Sequence, residues 1–470
     1  MLRAEFMLLR YCTFSRITHL LRLLPAAVSR DFLLTLEPAI RRAFEHIVGS
    51  AVSDDVWARA KLPIRLSGCG LSDPAICADA AYLSSSNLVA KSLHRESVGN
   101  SNPANGPLTP PNALSAHMLD LLKFSDDVDD ARSRIDIAGS KLGAINLTCL
   151  PLDQLHADTW PSQRQLTEIA YRPVLADLID SASKTSRPLE AWIRSCCCFG
   201  AYNWLMAIPG IAYFECSPSV YAMMLRQWLG MSVVNVSLHE TPVCAAKGCK
   251  ETFGGAMLSG SHWDSVCCGA TVFRNQRHDA VRDVFYRAYL ELGISVQREP
   301  RGLYQGSNSR PADVLVPPAK PGECDRALDF VIVNPRSNRA LDACSDKGAL
   351  IASALAEQSK LEDHEKMVSK YGVSSAVVDF QKFGIAFESS GAFGRQALSL
   401  WAELKYAAAE IGLDNYIVSG KPHTWSAFTF EQMLPQKVSW KIHYKNAQSI
   451  MTMSAYSKAS RVELVHGLAH

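Results

Sequence analysis

The stretch that decides the fold is SRPADVLVPPAKPGECDRALDFVIVNP, residues 309–335. It holds two apolar runs of strand-forming residues, ADVLVP and ALDFVIVNP, separated by prolines and a glycine. Each run carries one aspartate, Asp313 in the first and Asp329 in the second. A buried, unpaired carboxylate costs several kcal/mol, so we expect a cation, either a lysine or a metal ion, beside both.

The segments on either side predict a mixed helix and strand domain. The stretch DAVRDVFYRAYLELG predicts an amphipathic helix ending at Gly293, and ISVQREP a short strand after it. Downstream, DKGALIASALAEQSKLEDHEKMVSKYG predicts a helix, VSSAVVDFQKFGIAFES one strand or two, and GRQALSLWAELKYAAAEIG a further helix. The predicted order is α-β-β-β-α-β followed by α. Residues 1–60 and 117–230 show helical periodicity, so the predicted class is α+β with a helical N-terminal half.

The two aspartates predict a magnesium site if their strands are antiparallel neighbours, because both carboxylates can then share one face. Glu299, at the end of the preceding strand, is a third candidate ligand. Phosphate hydrolysis also needs a cationic side chain, but the residue two positions after Asp329 is Val331. The lysine must therefore come from elsewhere, and the candidates are Lys360 on the following helix and Lys347 near its start. The alternative is that these side chains are simply solvated.

A second candidate site has the ligand types that zinc prefers. The pattern is Cys244-x4-Cys249-x12-His262-x4-Cys267. Three thiolates and an imidazole can close a tetrahedral zinc site, and the loop between the pairs lets the two halves meet. Cys268 and His278 are alternative ligands, and the competing interpretation is buried cysteines with a surface histidine.

Composition narrows the class of protein only slightly. The chain has 470 residues and a net charge of +2, so affinity for nucleic acid has to come from local basic patches. Fourteen cysteines without regular spacing indicate a reducing compartment, and no apolar run of 18 or more residues predicts a membrane span. The first 30 residues carry five Arg and one Glu, which favours a packed amphipathic helix over a mitochondrial presequence.

The C-terminal segment mixes basic and aromatic residues. Between Lys421 and Arg461 there are six Lys or Arg, one Glu and several aromatic residues, including Trp425 and Trp440. Such a segment can contact phosphates and stack on unpaired bases. The alternative is a terminal helix that packs its aromatic rings inside the protein.

Taken together, these motifs resemble one known family. They are the Cys/Cys/His/Cys cluster, RH at 277–278, RPAD at 310–313, ALDFVIVNP, and the helix with Lys360. In this order they resemble the back portion of non-LTR (LINE-type) retrotransposon polyproteins, where a zinc knuckle precedes a restriction-endonuclease-like domain. LLRYCTFSRITHLLRLLP and KLPIRLSGCGLSDPAICADAAYLSS are similar to the segment after a reverse-transcriptase palm. No Tyr-x-Asp-Asp motif occurs, so no reverse-transcriptase active site is expected in this chain.

The resemblance implies a domain organisation and a function. The implied regions are a helical thumb-like remnant (1–95), a flexible linker (96–116), a helical connector (117–240), a zinc-knuckle-like segment (241–278), a restriction-endonuclease-like domain (279–415) and a basic, aromatic tail (416–470). The implied activity is Mg²⁺-dependent nicking of DNA, with Asp313 and Asp329 as metal ligands and Lys360 as the catalytic lysine, Lys347 being the second choice. Implied partners are DNA and the element's RNA, in nucleus or cytoplasm. The alternative is a catalytically inactive, zinc-containing relic that binds nucleic acid, or a host protein whose aspartates are structural.

Overall fold

The computed structural model describes residues 2–98, 115–118, 126–140, 160–208, 211–233, 244, 249, 260–263, 267–307, 310–318, 320, 322–343, 348–373 and 380–455. The chain forms two compact units, Met1–Ser181 and Ala182–His470. The first unit is helical and the second combines helices with one sheet, so the predicted α+β class is confirmed. None of the described helices is long and apolar enough to cross a membrane.

The first unit consists of helices joined by short turns. They are α1 (Leu2–Met7), a π-helical turn (Leu8–Thr13), α2 (Phe14–Leu21), α3 (Ala26–Val48), α4 (Asp54–Lys61), a 3-10 turn (Ile64–Leu66), α5 (Pro74–Val98) and α6 (Asp126–Ser140). Helix α7 (Gln163–Thr185) begins in this unit and ends past its boundary.

Buried apolar side chains and one ionic cluster hold the first unit together. Leu83 of α5, Val128 of α6 and Leu166 of α7 are fully buried in one hydrophobic cluster. Asp73 caps α5 by accepting the N–H of Ala75 at 2.9 Å. Its other oxygen lies 2.5 Å from Lys61 Nζ, so the end of α4 is fixed against the start of α5.

The second unit contains the remaining elements. They are α8 (Arg187–Cys196), 3-10 turns at Ala201–Leu205 and Ala212–Phe214, α9 (Pro218–Trp228), a 3-10 turn at Cys268–Ala270, α10 (Thr271–Glu291), β1 (Gln297–Arg298), β2 (Val314–Val316), β3 (Asp325–Val333), α11 (Asn338–Ala343), α12 (Ile351–Tyr371), β4 (Phe380–Glu388), α13 (Arg395–Glu410) and α14 (Phe430–Ala455).

The sheet has four strands in the order β1-β2-β3-β4. β1 pairs with β2 and β2 with β3 in antiparallel fashion, whereas β3 and β4 are parallel from Asp325↔Phe380 to Val333↔Glu388. A parallel pair needs a crossover, and α11 and α12 supply it. Counted from α10, the described elements are one helix, three strands, two helices, a strand and a helix, which is the predicted order with α11 as an additional short helix.

Helices cover both faces of the sheet. Phe285 of α10 packs its ring against Phe330 and Phe387, with centroids 5.2 and 5.7 Å apart, so α10 covers the face that carries these rings. On the other face, Gly384 of β4 lies against α12, where an added Cβ would come within 2.9 Å of Lys360 Cβ. Because side chains alternate along a strand, Asp329, the neighbour of Phe330, belongs to the α12 face.

The predicted region boundaries correspond only partly to these elements. Helix α5 extends to Val98, inside the predicted linker 96–116, and the residues 99–114 of that linker lie outside the described residues. The predicted connector 117–240 contains the boundary between the two units, at Ser181. Helix α10 begins at Thr271, so it includes the last residues of the predicted zinc-knuckle-like segment 241–278.

Candidate functional site

The four predicted zinc ligands come together in the second unit. Ligand atoms of Cys244, Cys249, His262 and Cys267 all lie within 4.8 Å of one another. Cys244 Sγ is 3.5 Å from Cys267 Sγ, and Cys249 Sγ is 3.4 Å from His262 Nε2. Tetrahedral Zn²⁺ with Zn–S near 2.3 Å and Zn–N near 2.1 Å places its ligands about 3.5 to 3.8 Å apart. The cluster therefore has the dimensions of a metal site, whereas a disulfide would need a distance of about 2 Å.

The surroundings of the cluster favour a bound cation. The N–H of Cys267 donates to the carbonyl of His262 at 2.7 Å, which fixes two of the ligands in one turn. Burial, reinforced by the Cys244 thiol, raises the pKa of Cys267 to about 12. Thiolates in such a position form only when a cation offsets the burial. Of the two alternative ligands, Cys268 is exposed and His278 lies elsewhere, next to Asp313.

Asp313 lies just before β2, beside the edge of β3. Val314 pairs with Leu328, so Asp313 and Asp329 both lie one position beyond this pair. Since β2 starts only at Val314, the N–H of Phe330 has no partner from that strand and donates to Asp313 Oδ2 at 2.7 Å. The carboxylate thus takes the place of a backbone carbonyl at the open edge of the sheet.

A histidine from α10 completes the surroundings of Asp313. His278 Nε2 lies 3.1 Å from Asp313 Oδ2 and 3.1 Å from the carbonyl oxygen of Phe330. Burial alone would raise the pKa of Asp313, but the His278 ring, the Phe330 N–H and the charge of Lys360 hold it below its usual value. Burial alone would lower the pKa of His278, but Asp313 and Asp279 hold it above its usual value. Asp313 and His278 therefore each favour the charged form of the other.

Asp329 projects towards α12, where two lysines hold it. Lys360 Nζ is 2.8 Å from Asp329 Oδ1, and Lys382 Nζ of β4 is 2.9 Å from Asp329 Oδ2. Lys360 reaches the sheet because Gly384, opposite Asp329 in the parallel register, leaves room for the helix. The partner expected for this buried aspartate is thus a lysine pair, and Lys360 is one of the two.

Glu299, predicted as a third oxygen ligand, is engaged by arginines. Its carboxylate accepts from Arg282 Nη1 and, at 2.6 Å, from Arg310 Nη1. Its backbone N–H donates to the carbonyl of Asp313 at 2.8 Å, so the backbone of Glu299 lies next to Asp313. The backbone of Glu299 has φ of 47°, a left-handed conformation that a non-glycine residue adopts only when its surroundings hold it there. Lys347, the second choice for the catalytic lysine, lies outside the described residues.

Sequence reasoning missed three side chains at this site. The sequence does contain a signal for Lys382, because a lysine within the alternating apolar stretch FQKFGIAFE needs an acidic partner when it is buried. Tyr304 and His364 form a hydrogen-bonded pair, with Tyr304 Oη 2.7 Å from His364 Nδ1. Burial and the charge of Asp329 raise the pKa of Tyr304 to about 12. Burial and the charge of Lys382 lower the pKa of His364, which is therefore a neutral imidazole beside the site.

The aromatic residues of the C-terminal segment divide into two groups. Phe430 and Trp440 of α14 are buried, and the ring of Trp440 packs edge-on against Phe214 with centroids 5.7 Å apart. Trp425 and Phe428, which precede the helix, are exposed. Only the second group has ring faces accessible to a base, while the first agrees with the alternative of a packed helix.

The sequence matches no protein-family model and no curated protein. The class that the described residues define is therefore an α+β protein with a cysteine and histidine cluster suited to a metal ion, and with two aspartates beside its sheet, Asp329 held by lysines and Asp313 by a histidine.

Proposed function

We propose that the chain is a metal-dependent DNA endonuclease of retroelement origin that nicks target DNA and lacks polymerase motifs. The observation that carries the proposal is the contact between Lys360 and Asp329, with Asp313 one position beyond the Val314↔Leu328 pair that joins the neighbouring strands. Lys360 Nζ of α12 contacts Asp329 of β3 at 2.8 Å, and its charge also acts on Asp313 beside β2. Two carboxylates and a lysine at one sheet edge are the groups that hydrolysis of a phosphodiester requires.

The topology around these residues supports the proposal. A helix, three antiparallel strands, a helical crossover and a parallel fourth strand follow one another from Thr271 to Glu388. This is the element order that the resemblance to restriction-endonuclease-like domains implies. In this order Asp313 immediately precedes β2, Asp329 belongs to the neighbouring β3, and Lys360 belongs to the crossover helix α12.

Each residue has a proposed role. Asp313 and Asp329 would hold Mg²⁺, which would supply Lewis-acid chemistry at the scissile phosphate. Lys360 stabilises negative charge that develops on the phosphate oxygens. For Asp329 to bind the ion, one of its two lysines has to move off the carboxylate, and Lys360 is the more mobile because its side chain is 31% exposed against 7% for Lys382. Glu299 shapes the site through its arginine pair.

The cysteine and histidine cluster has the proposed role of a structural zinc site. Four protein ligands leave no open position for substrate, which is typical of structural rather than catalytic zinc. Cys267 immediately precedes the turn that starts α10, so zinc here would fix the helix that carries His278. Proposed partners are DNA and the element's RNA, and the proposed compartments are nucleus and cytoplasm.

The proposal is tested by nicking of supercoiled plasmid in Mg²⁺ and in EDTA. We expect wild-type protein to produce open-circular DNA only with the metal, and Asp313→Asn to be slower by about 100-fold, because it removes a charge that has to be present at the phosphate. Asp363→Asn is the matched control, since its ion pair with Lys366 is exposed and on the solvent side of the same helix as Lys360. Equal rates for Asp313→Asn and the control would remove Asp313 from the site.

A second candidate function is a catalytically inactive, zinc-containing relic that binds nucleic acid. It is favoured by the pairing of the acidic groups. Both oxygens of Asp329 contact lysines, and Glu299 contacts two arginines. Within the described ranges, the cysteine and histidine cluster is the only group of three or more ligand side chains close enough to share an ion. DNA binding without metal-dependent cleavage would select this function.

A further inference from the structure

A separate cavity lies between α10 and α14. It has a volume of about 340 Å³, and its polar lining consists of Tyr213, Asp283, Arg287, Glu291, Lys437 and Lys441. Along α10 the lining residues recur at three- and four-residue steps, so one face of the helix forms one wall. The face with Val281, Phe285 and Tyr289 is buried instead.

The acidic residues of this cavity already have cationic partners. Asp283 Oδ1 lies 3.0 Å from Nη2 of Arg282, the preceding residue of α10, and 3.7 Å from Nε of Arg298 in β1. Glu291 Oε1 lies 3.6 Å from Lys437 Nζ, and its other oxygen accepts from Tyr416 Oη at 3.3 Å. The negative charges of Asp283 and Glu291 are therefore already balanced by nearby arginine and lysine side chains.

Two cations of the cavity have no such partner. Neither Arg287 nor Lys441 has an ion pair with any residue that the structure describes. Lys441 Nζ lies 4.2 Å from the ring centroid of Tyr213, a weak contact compared with a carboxylate. Burial, with the like charges of Lys445 and Arg287, lowers the pKa of Lys441. The excess charge is therefore positive and held in place by the fold.

The cavity also has a neutral hydrogen-bond donor in its lining, the hydroxyl-bearing side chain of Tyr213. Tyr213 Oη is buried and has no hydrogen-bond partner among the described residues. A buried hydroxyl without a partner costs about 1–3 kcal/mol, so an acceptor that enters the cavity recovers this energy. An anion with several oxygens can accept from Tyr213 while it neutralises Lys441 and Arg287.

We propose that the cavity between α10 and α14 binds a phosphate group, with Lys441, Arg287 and Tyr213 as its donors. Three donors of this kind suit the tetrahedral oxygens of phosphate, and the cavity has room for one. The proposal goes beyond the endonuclease function, because a phosphate site here requires no cleavage. The phosphate can belong to a nucleic-acid strand or be free, and the two sources give different binding results.

The test measures binding of a fluorescent single-stranded oligonucleotide by anisotropy, and of inorganic phosphate by calorimetry, to the full chain. Lys441→Gln is compared with Lys405→Gln, an equal change of charge at a lysine that pairs with Glu431 instead. For a strand phosphate we expect Lys441→Gln to weaken oligonucleotide binding about tenfold and to lower the salt slope by about one, while Lys405→Gln stays near wild type.

Tyr213→Phe keeps the ring and removes the hydroxyl, and we expect it to weaken binding about fivefold without lowering thermal stability. If inorganic phosphate binds to wild type and Lys441→Gln abolishes this binding, while the oligonucleotide binds to wild type no more tightly than to Lys441→Gln, the site is confirmed and its ligand is free phosphate. If neither probe binds, or Lys441→Gln and Lys405→Gln behave alike, the proposal is overturned. Nicking that depends on Asp313 is a separate readout, so failure of one proposal does not imply failure of the other.

Discussion

The lysine pair around Asp329 leads to a quantitative prediction for Asp329→Asn. The substitution keeps the shape of the side chain but removes its charge, and it leaves Lys382, whose side chain is only 7% exposed, without a counter-charge. Removing one partner of a buried ion pair costs about 3 kcal/mol or more, and the second lysine adds to this. With a urea m-value of about 3 kcal/mol/M, the unfolding midpoint falls by about 1 M.

Tryptophan fluorescence measures this change well, because seven of the nine tryptophans belong to the second unit. Asp363→Asn makes the same chemical change in a pair whose side chains are 61% and 72% exposed, and should cost less than about 0.5 kcal/mol. The double variant Asp329→Asn with Lys382→Met removes the stranded charge and should recover most of the loss. The reasoning is refuted if Asp329→Asn unfolds at the same urea concentration as Asp363→Asn, or if the double variant is no more stable than the single one.

Three further predictions concern the metal cluster, a buried acid and a helix contact. Elemental analysis should find about one zinc per chain in wild type and almost none in Cys249→Ser, and less than about half an equivalent in wild type would contradict the zinc assignment. Burial raises the pKa of Glu388 from 4.5 to about 7. Because the folded state then binds the extra proton, wild-type stability should fall by about 3 kcal/mol between pH 4.5 and pH 7, and urea titrations across this range should show no such fall in Glu388→Gln. Gly384→Ala should cost about 2 kcal/mol in the same assay, since its Cβ would meet Lys360 Cβ at 2.9 Å, and an unchanged midpoint would show that α12 yields freely.

Between Thr271 and Glu410 the local pattern of the sequence predicts the elements of the second unit apart from the short helix α11. Strand signals around Asp313 and Asp329 and the amphipathic stretches on either side predict the observed order of helices and strands. Cysteine and histidine spacing likewise identified four side chains that the structure brings together in an arrangement suited to a metal ion, because they lie within one short segment. Both results depend on residues close together along the chain.

Contacts between distant segments were harder to predict. The arginines beside Glu299 come from α10 and from the segment before β2, and no local pattern pairs them with that carboxylate. Lys382 reaches Asp329 only because β4 pairs in parallel with β3, which depends on the crossover through α12. The sequence offers His278 as an alternative zinc ligand, but its ring lies against Asp313 instead. These positions are set by tertiary packing rather than by periodicity.

The most direct measurement of the central claim is the rate of plasmid nicking by wild type and by Lys360→Met at equal concentration in Mg²⁺. Lys360 is partly exposed and Asp329 keeps Lys382, so this variant should remain folded, which circular dichroism checks. The account predicts metal-dependent nicking by wild type and a loss of about 100-fold in Lys360→Met, the size expected for one charge-stabilising group. Equal nicking by the two proteins, or none by wild type with Mg²⁺, would contradict it.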